Sequence, residues 1–234
     1  MATRPVFIPR GEGGLLVDTR MVEFTWVPGM AVSQKQKSVA SLHQAAAQSL
    51  GLGSILEVST KSNVALGEQL SAFNLAYQPP ASQKHYSVEV LFQSAKVFSG
   101  GGPYRDIREM TSRDAKRDPR LRSSGNLLYF HSGGQKWPLE PKTIFYDWLY
   151  LNVLAKRPDL TSKLAVYEAF TDIEFNPEKS INCQAYSVAL YVALQKRGLL
   201  QDALSSQEDF ISHIQSFEAG ETGIDTTHNR SLFQ

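Results

Sequence analysis

Apolar positions recur along this chain with two periods, and each period predicts a different kind of element. Val39, Leu42, Ala46 and Leu50 fall at helical spacing between Ser33, a residue able to cap a helix start, and Gly51, a natural stop. Val88, Leu91, Phe92 and Ala95 at i, i+3, i+4 and i+7 predict a half-buried helix through VEVLFQSAK. Ile144, Phe145, Trp148 and Leu151 mark a long helix opening at Pro141 and reaching Lys156. Val188, Tyr191, Val192 and Gln195 place another between Ser180 and Gly198, and a last one is expected from about Ser205 to Phe217. A short helix from Asn63 to Leu70 completes the set.

β-leaning segments alternate with these. MVEFTW, ILEVST, SAFNL and FTDIEF read as strands, and NLLYFHSGGQKWP as a hairpin turning at Gly133 and Gly134. The result is a helix-rich α+β pattern with small sheets. Residues 1–217 read as one domain with a β-rich start to about residue 30, and a loop containing Pro79 and Pro80 parts its two halves. The polar stretch 218–234 is expected to fray.

Composition narrows the function classes. With 42% hydrophobic and 20% charged residues among 234, the chain is outside the disordered and coiled-coil classes. Lys plus Arg number 24 against 23 for Asp plus Glu, so a net charge of +1 offers no global attraction to a polyanion. One cysteine, Cys183, excludes an intramolecular disulfide and a Cys-based zinc cage, and the five histidines show no HExxH or His-x-His spacing. No metal and no cofactor are expected. No apolar run approaches a membrane span, and the start lacks the apolar core of a signal peptide, so a cytoplasmic location with no membrane partner is expected.

Several groups could carry chemistry. Glu89, Gln93 and Lys96 share a helical stripe, with Glu89 and Lys96 about 10 Å apart along the axis, so they could flank a ligand. A solvated polar face is the competing reading. If FTDIEF is extended, Asp172 and Glu174 share one face, the arrangement that glycosidic proton transfer uses; an exposed strand face would look the same. Gly101 and Gly102, ahead of a helix start near Tyr104, could let backbone N–H groups approach a pyrophosphate, or simply stop a helix. Seven basic residues from Arg105 to Arg122, Lys116 and Arg120 among them, face four acidic ones, which suits either a phosphate site or a solvated mixed-charge surface. Trp137 could stack on a base or fill the core.

The run VEVLFQSAKVF, followed by GGPYRDI and DAKRDPRL, resembles the NADAR family, which includes the YbiA-type N-glycosidases. The matching positions are Val88, Glu89, Phe92, Gln93, Ala95, Lys96, Ala115, Lys116 and Arg120. Pro119 stands where that family's glycine usually lies, and Ala72 in SAFNL where its Ser-Asn-Phe motif has asparagine. EFTWVPG, SQKQKS, WPLEPKTIFYDWLY and FTDIEFNPEKSINCQA are similar to the branch found as antitoxin beside DarT-type DNA ADP-ribosyltransferases, over roughly Val22 to Leu200.

This resemblance implies a NADAR-like α+β fold and hydrolytic removal of ADP-ribose from guanine in DNA, releasing ADP-ribose. It implies ADP-ribosylated DNA as substrate and leaves the toxin itself open as a partner. Lys96 would act as a Schiff-base amine, and Glu89 or Asp172 would move protons. Gln93, Gly101, Gly102, Tyr104, Lys116, Arg120 and Trp137 would bind the substrate. A small-molecule N-glycosidase of YbiA type and an antitoxin that only blocks its toxin remain the alternatives.

Overall fold

The computed structural model of the chain describes residues 1–80 and 83–219. These residues form two compact units, one made of residues 1–71 with the chain from Pro158 onward, the other of residues 72–157. The boundaries lie at Ser71 and Arg157, not in the Pro79–Pro80 loop.

In chain order the first unit contributes β1 (Ala2–Pro9), β2 (Val17–Phe24), α1 (Val32–Leu50), β3 (Ile55–Glu57) and α2 (Ala65–Gln69). The second holds β4 (Ala76–Tyr77), β5 (Tyr86–Ser87), α3 (Val88–Ser94), β6 (Lys96–Phe98), a 3₁₀ turn at Arg105–Glu109, α4 (Ser112–Arg117), α5 (Arg120–Ser123), β7 (Leu127–Ser132), β8 (Gln135–Trp137) and α6 (Ile144–Ala155). The chain then returns to the first unit with α7 (Pro158–Thr161), a 3₁₀ turn at Leu164–Val166, β9 (Ala169–Thr171), α8 (Gln184–Lys196), α9 (Leu200–Ala203) and α10 (Gln207–Ala219). Among the described residues no helix is long and apolar enough to cross a membrane. The expected fraying tail lies almost wholly outside the described residues.

The first unit is organised by a four-stranded sheet in the order β2-β1-β9-β3. β1 and β2 pair antiparallel along their whole length, and β3 runs parallel to β9. The β-rich start is therefore an edge hairpin of a sheet completed by β3 and by β9, which comes from much later in the chain. Val39, Leu42 and Ala46 of α1, three residues of the predicted stripe, pack with Val6, Val22, Phe24, Ala169 and Ile173, and the fourth, Leu50, is partly buried against them. Gly51 ends that helix in the left-handed conformation at φ 69°, as a C-terminal glycine should. The predicted caps Ser33, Asn63 and Ser180 do not open their helices, which start after Ala31, Val64 and Cys183.

In the second unit α3 and α4 do start at side-chain caps, Ser87 and Thr111, whose hydroxyls accept from the N–H of Val90 and Asp114. SAFNL is not a strand. It is a turn-rich segment whose Ala72 and Leu75 carbonyls accept the N–H groups of Glu89 and Val88, the otherwise unpaired first donors of α3. The hairpin is as predicted: β7 and β8 pair antiparallel across Gly133 and Gly134, both at positive φ, as a two-residue turn of this hand requires. An aromatic cluster of Phe92, Phe130, Phe145, Tyr146 and Trp137 fills the space between α3, the hairpin and α6.

Candidate active site

Lys96 is not on the helix that its spacing from Glu89 suggested. α3 ends at Ser94, Ala95 caps it, and Lys96 opens β6 opposite Phe130 of β7. The change is imposed from a distance, because His131 donates its backbone N–H to the Ala95 carbonyl at 2.7 Å and draws the chain into the sheet. The junction still keeps the three predicted groups in one neighbourhood. Glu89 is buried on α3, and Gln93, also buried one turn later, donates from Nε2 to Glu89 Oε1 at 2.8 Å. The other end of that amide, Oε1, is buried with no hydrogen-bond partner among the described residues.

Lys96 itself is half-buried, with Nζ 4.8 Å from the centre of the Phe92 ring. Burial lowers its pKa, the Glu89 carboxylate opposes that shift, and the Lys116 ammonium adds to it. Lys116 sits exposed on α4 with Nζ 5.3 Å from the centre of the Phe73 ring, so the SAFNL segment supplies its seat. The site thus holds a lysine biased toward the neutral amine beside a carboxylate whose position is set by an amide.

The predicted phosphate anchors fare differently. The N–H of Gly101 bonds the Phe98 carbonyl, so that backbone donor is not free for a pyrophosphate. Gly102 has a packing role: a Cβ there would lie 2.6 Å from the Lys96 carbonyl oxygen, at a φ of 96°. Tyr104 shares a 2.5 Å hydrogen bond with Ser124. Arg120 is committed to two carboxylates, Asp106 at 2.6 Å and Asp118 at 2.7 Å, while its guanidinium lies over the Tyr104 ring. Those carboxylates hold its pKa above the usual arginine value. Trp137 is fully buried, 4.6 Å from Trp148 between ring centroids, so no face is open to a base.

Asp172 belongs to the other unit, and its predicted face does not exist. β9 ends at Thr171, and Asp172 to Phe175 form a turn in which Asp172 is buried and Glu174 exposed. Asp172 accepts the N–H of Glu174 at 2.9 Å. The residue that sequence reasoning missed is Glu57, at the end of β3 and 1% exposed. Its Oε1 accepts from Ser59 Oγ at 2.6 Å and from the Ile173 N–H at 2.8 Å, and its Oε2 accepts from Thr171 Oγ1 at 2.7 Å. Thr171 Oγ1 in turn lies 2.8 Å from His43 Nε2.

Burial pushes both acids up, Asp172 to about 7 and Glu57 to about 8, and the Asp172 charge adds to the rise at Glu57. Burial, joined at Glu57 by the charge of Asp172, thus favours the protonated form of both groups. Burial also depresses His43, to about 4, so its ring is neutral there. A carboxylate inside the apolar-rich strand ILEVST was the available signal, since such a group needs donors or a proton.

The family model of the DarT1-associated NADAR antitoxins matches residues 2–223. No match is found among curated proteins.

Proposed function

We propose that this chain, which belongs to the family of DarT1-associated NADAR antitoxins, is a glycohydrolase that removes ADP-ribose from guanine bases of DNA through a Schiff base on Lys96. The observation that carries this reading is the Lys96 amine itself: half-buried, its pKa lowered by desolvation, beside the Gln93-held Glu89 carboxylate.

The substrate bond joins C1 of a ribose to a guanine nitrogen. Ring opening breaks the C1–O4 bond, the proton of the guanine nitrogen passes through Glu89 to O4, and C1 is left double-bonded to that nitrogen, at the aldehyde level, where the neutral Lys96 amine adds to it. Glu89 carries both Nζ protons in turn to the guanine nitrogen, the C1–N bond breaks with its electron pair leaving on guanine, and an imine links C1 to Nζ. Water adds to the imine, Glu89 carries the two water protons in turn to Nζ, and breaking of the C1–Nζ bond with its electron pair leaving on Nζ releases ADP-ribose and the free amine. Glu89 is the one of the two expected proton carriers that lies in the Lys96 unit, and the steps are assigned to it. The unpartnered Gln93 Oε1 offers an acceptor for a sugar hydroxyl.

The test is to incubate the protein with an oligonucleotide carrying ADP-ribosylated guanine. Release of ADP-ribose, with a borohydride-stable adduct on Lys96, supports the reading. Cleavage of small aminated ribosides alone would favour a YbiA-type enzyme. No cleavage, with stoichiometric inhibition of the toxin, would leave a blocking antitoxin.

A further inference from the structure

The segment Arg105–Glu109 alternates signs as RDIRE, and its conformation sorts those charges. In a 3₁₀ helix, residues three apart eclipse, so Arg105 and Arg108 form one edge, Asp106 and Glu109 a second, and Ile107 the third. Ile107 is fully buried against Val90 and Ala115. The acidic edge is used elsewhere: Asp106 pairs with Arg120, and Glu109 with Lys84.

The basic edge has no such partner. Among the described residues, Arg105 and Arg108 make no ion pair. Their hydrogen bonds go to neutral acceptors, Arg105 Nη2 to His131 Nδ1 at 2.7 Å and Arg108 Nε to Ser94 Oγ at 3.3 Å. Because a guanidinium can only donate, His131 must present Nδ1 as a bare acceptor. Both arginines are half-buried, and burial together with the charge of Arg108 lowers the pKa of Arg105. Two half-buried cations of like sign on one edge of the turn, with no counter-charge among the described residues, are an arrangement that a bound anion would relieve.

Their anchors adjoin the reacting lysine. Ser94 is the last residue of α3, and His131 donates its backbone N–H to Ala95, so both arginines are tied to the two residues before Lys96. In an ADP-ribosyl group the diphosphate is carried on C5 of the same ribose whose C1 is attacked. A lysine at C1 therefore requires a phosphate site within one sugar of it. Resting on the glycohydrolase reading for the identity of the ligand, we propose that Arg105 and Arg108, with His131 and Ser94 as their positioning residues, form a phosphate-binding site that holds the substrate beside Lys96.

The test uses binding, which does not depend on turnover. Sodium pyrophosphate, ADP-ribose and an unmodified single-stranded oligonucleotide are titrated into wild type, Arg105→Gln, Arg108→Gln and the exposed control Arg122→Gln. Each of the first two substitutions should weaken pyrophosphate and ADP-ribose about tenfold while the control matches wild type. If instead only the oligonucleotide weakens, with its log–log salt slope falling by about 0.7 per arginine, the site still binds phosphate but its source is the DNA backbone. Unchanged binding of all three probes overturns the proposal. Should the glutamine variants melt early, the wild type decides: pyrophosphate must shield Arg105 and Arg108 from phenylglyoxal, and equal modification with and without it overturns the site. A wild type that binds pyrophosphate but releases no ADP-ribose would refute the glycohydrolase reading and leave the phosphate site standing.

Discussion

Gln93 reaches back one turn of α3 and donates to Glu89 at 2.8 Å, so a neutral amide, and not a second charge, sets the position of the carboxylate beside Lys96. The orientation of that amide follows from the pairing, since a carboxylate only accepts and must meet the NH₂ end. Gln93→Glu would place a second carboxylate one turn from the first inside a buried site, forcing one of the two to stay protonated. We expect such a protein to be destabilised by roughly 1–3 kcal/mol in urea unfolding and to release ADP-ribose more slowly. Wild-type turnover in this variant would remove Gln93 and Glu89 from the mechanism.

Lys96→Ala should abolish both ADP-ribose release and the borohydride-trapped adduct while leaving the melting temperature near that of the parent, because Lys96 is only half-buried and makes no ion pair among the described residues. Mass spectrometry of the trapped protein locates the adduct. If kcat survives and only KM rises, Lys96 binds the substrate without bonding to it.

Glu57 makes a prediction about pH whose sign is opposite to that of an ordinary ion-paired acid. Its folded pKa of about 8 lies above its reference value of 4.5, so between those values the native state holds more protons than the unfolded chain, and stability falls as pH rises through this window. Glu57→Gln removes that dependence. The melting temperature of the variant relative to wild type should therefore climb from pH 5 to pH 8.5, and a constant difference would show that Glu57 is ionised throughout. His43 acts in the other direction, since a ring with a folded pKa of about 4 loses stability as pH falls through 6.5 toward 4.

Arg120 occupies a family motif position, yet both of its fork directions are spent on Asp106 and Asp118, and the side chain of Asp118 is 3% exposed. Arg120→Ala would leave that buried carboxylate without its cation. A lower melting temperature with unchanged affinity for ADP-ribose is expected by differential scanning and calorimetric titration. A loss of affinity at unchanged stability would restore Arg120 as a substrate anchor.

Trp137→Ala should cost about 3–5 kcal/mol, the usual range for emptying an aromatic site in a core, because the ring is wholly enclosed by neighbours that include Phe145 and Trp148. Denaturant unfolding measures it. A cost below about 1 kcal/mol would mean that the ring is not packed as described.

Much of this protein follows from residues a few positions apart. The stripe Val39, Leu42 and Ala46 with Gly51 behind it, the Gly133–Gly134 hairpin and the buried face of α6 are local patterns, where spacing alone selects the period and glycine alone tolerates the backbone. The Glu89 and Gln93 pairing belongs with them, because i and i+4 are neighbours on any helix. Tertiary contacts decided the rest. Lys96 leaves its helix because His131 and Phe130 of β7 pair with residues 95 and 96, and strand pairing of that kind overrides a helical spacing that is otherwise sound. Glu57 becomes a proton-holding acid only when the fold buries it and brings up the Asp172 charge from far along the chain, while the hydrogen bonds from Thr171 and Ile173 oppose that rise. Arg120 and Arg105 look alike in the sequence, both basic and both within two positions of an aspartate. Which of them keeps a free charge depends on which carboxylates the folded turns bring within hydrogen-bond reach, and a desolvated charge is set by all its neighbours in space, most of which are far away along the chain.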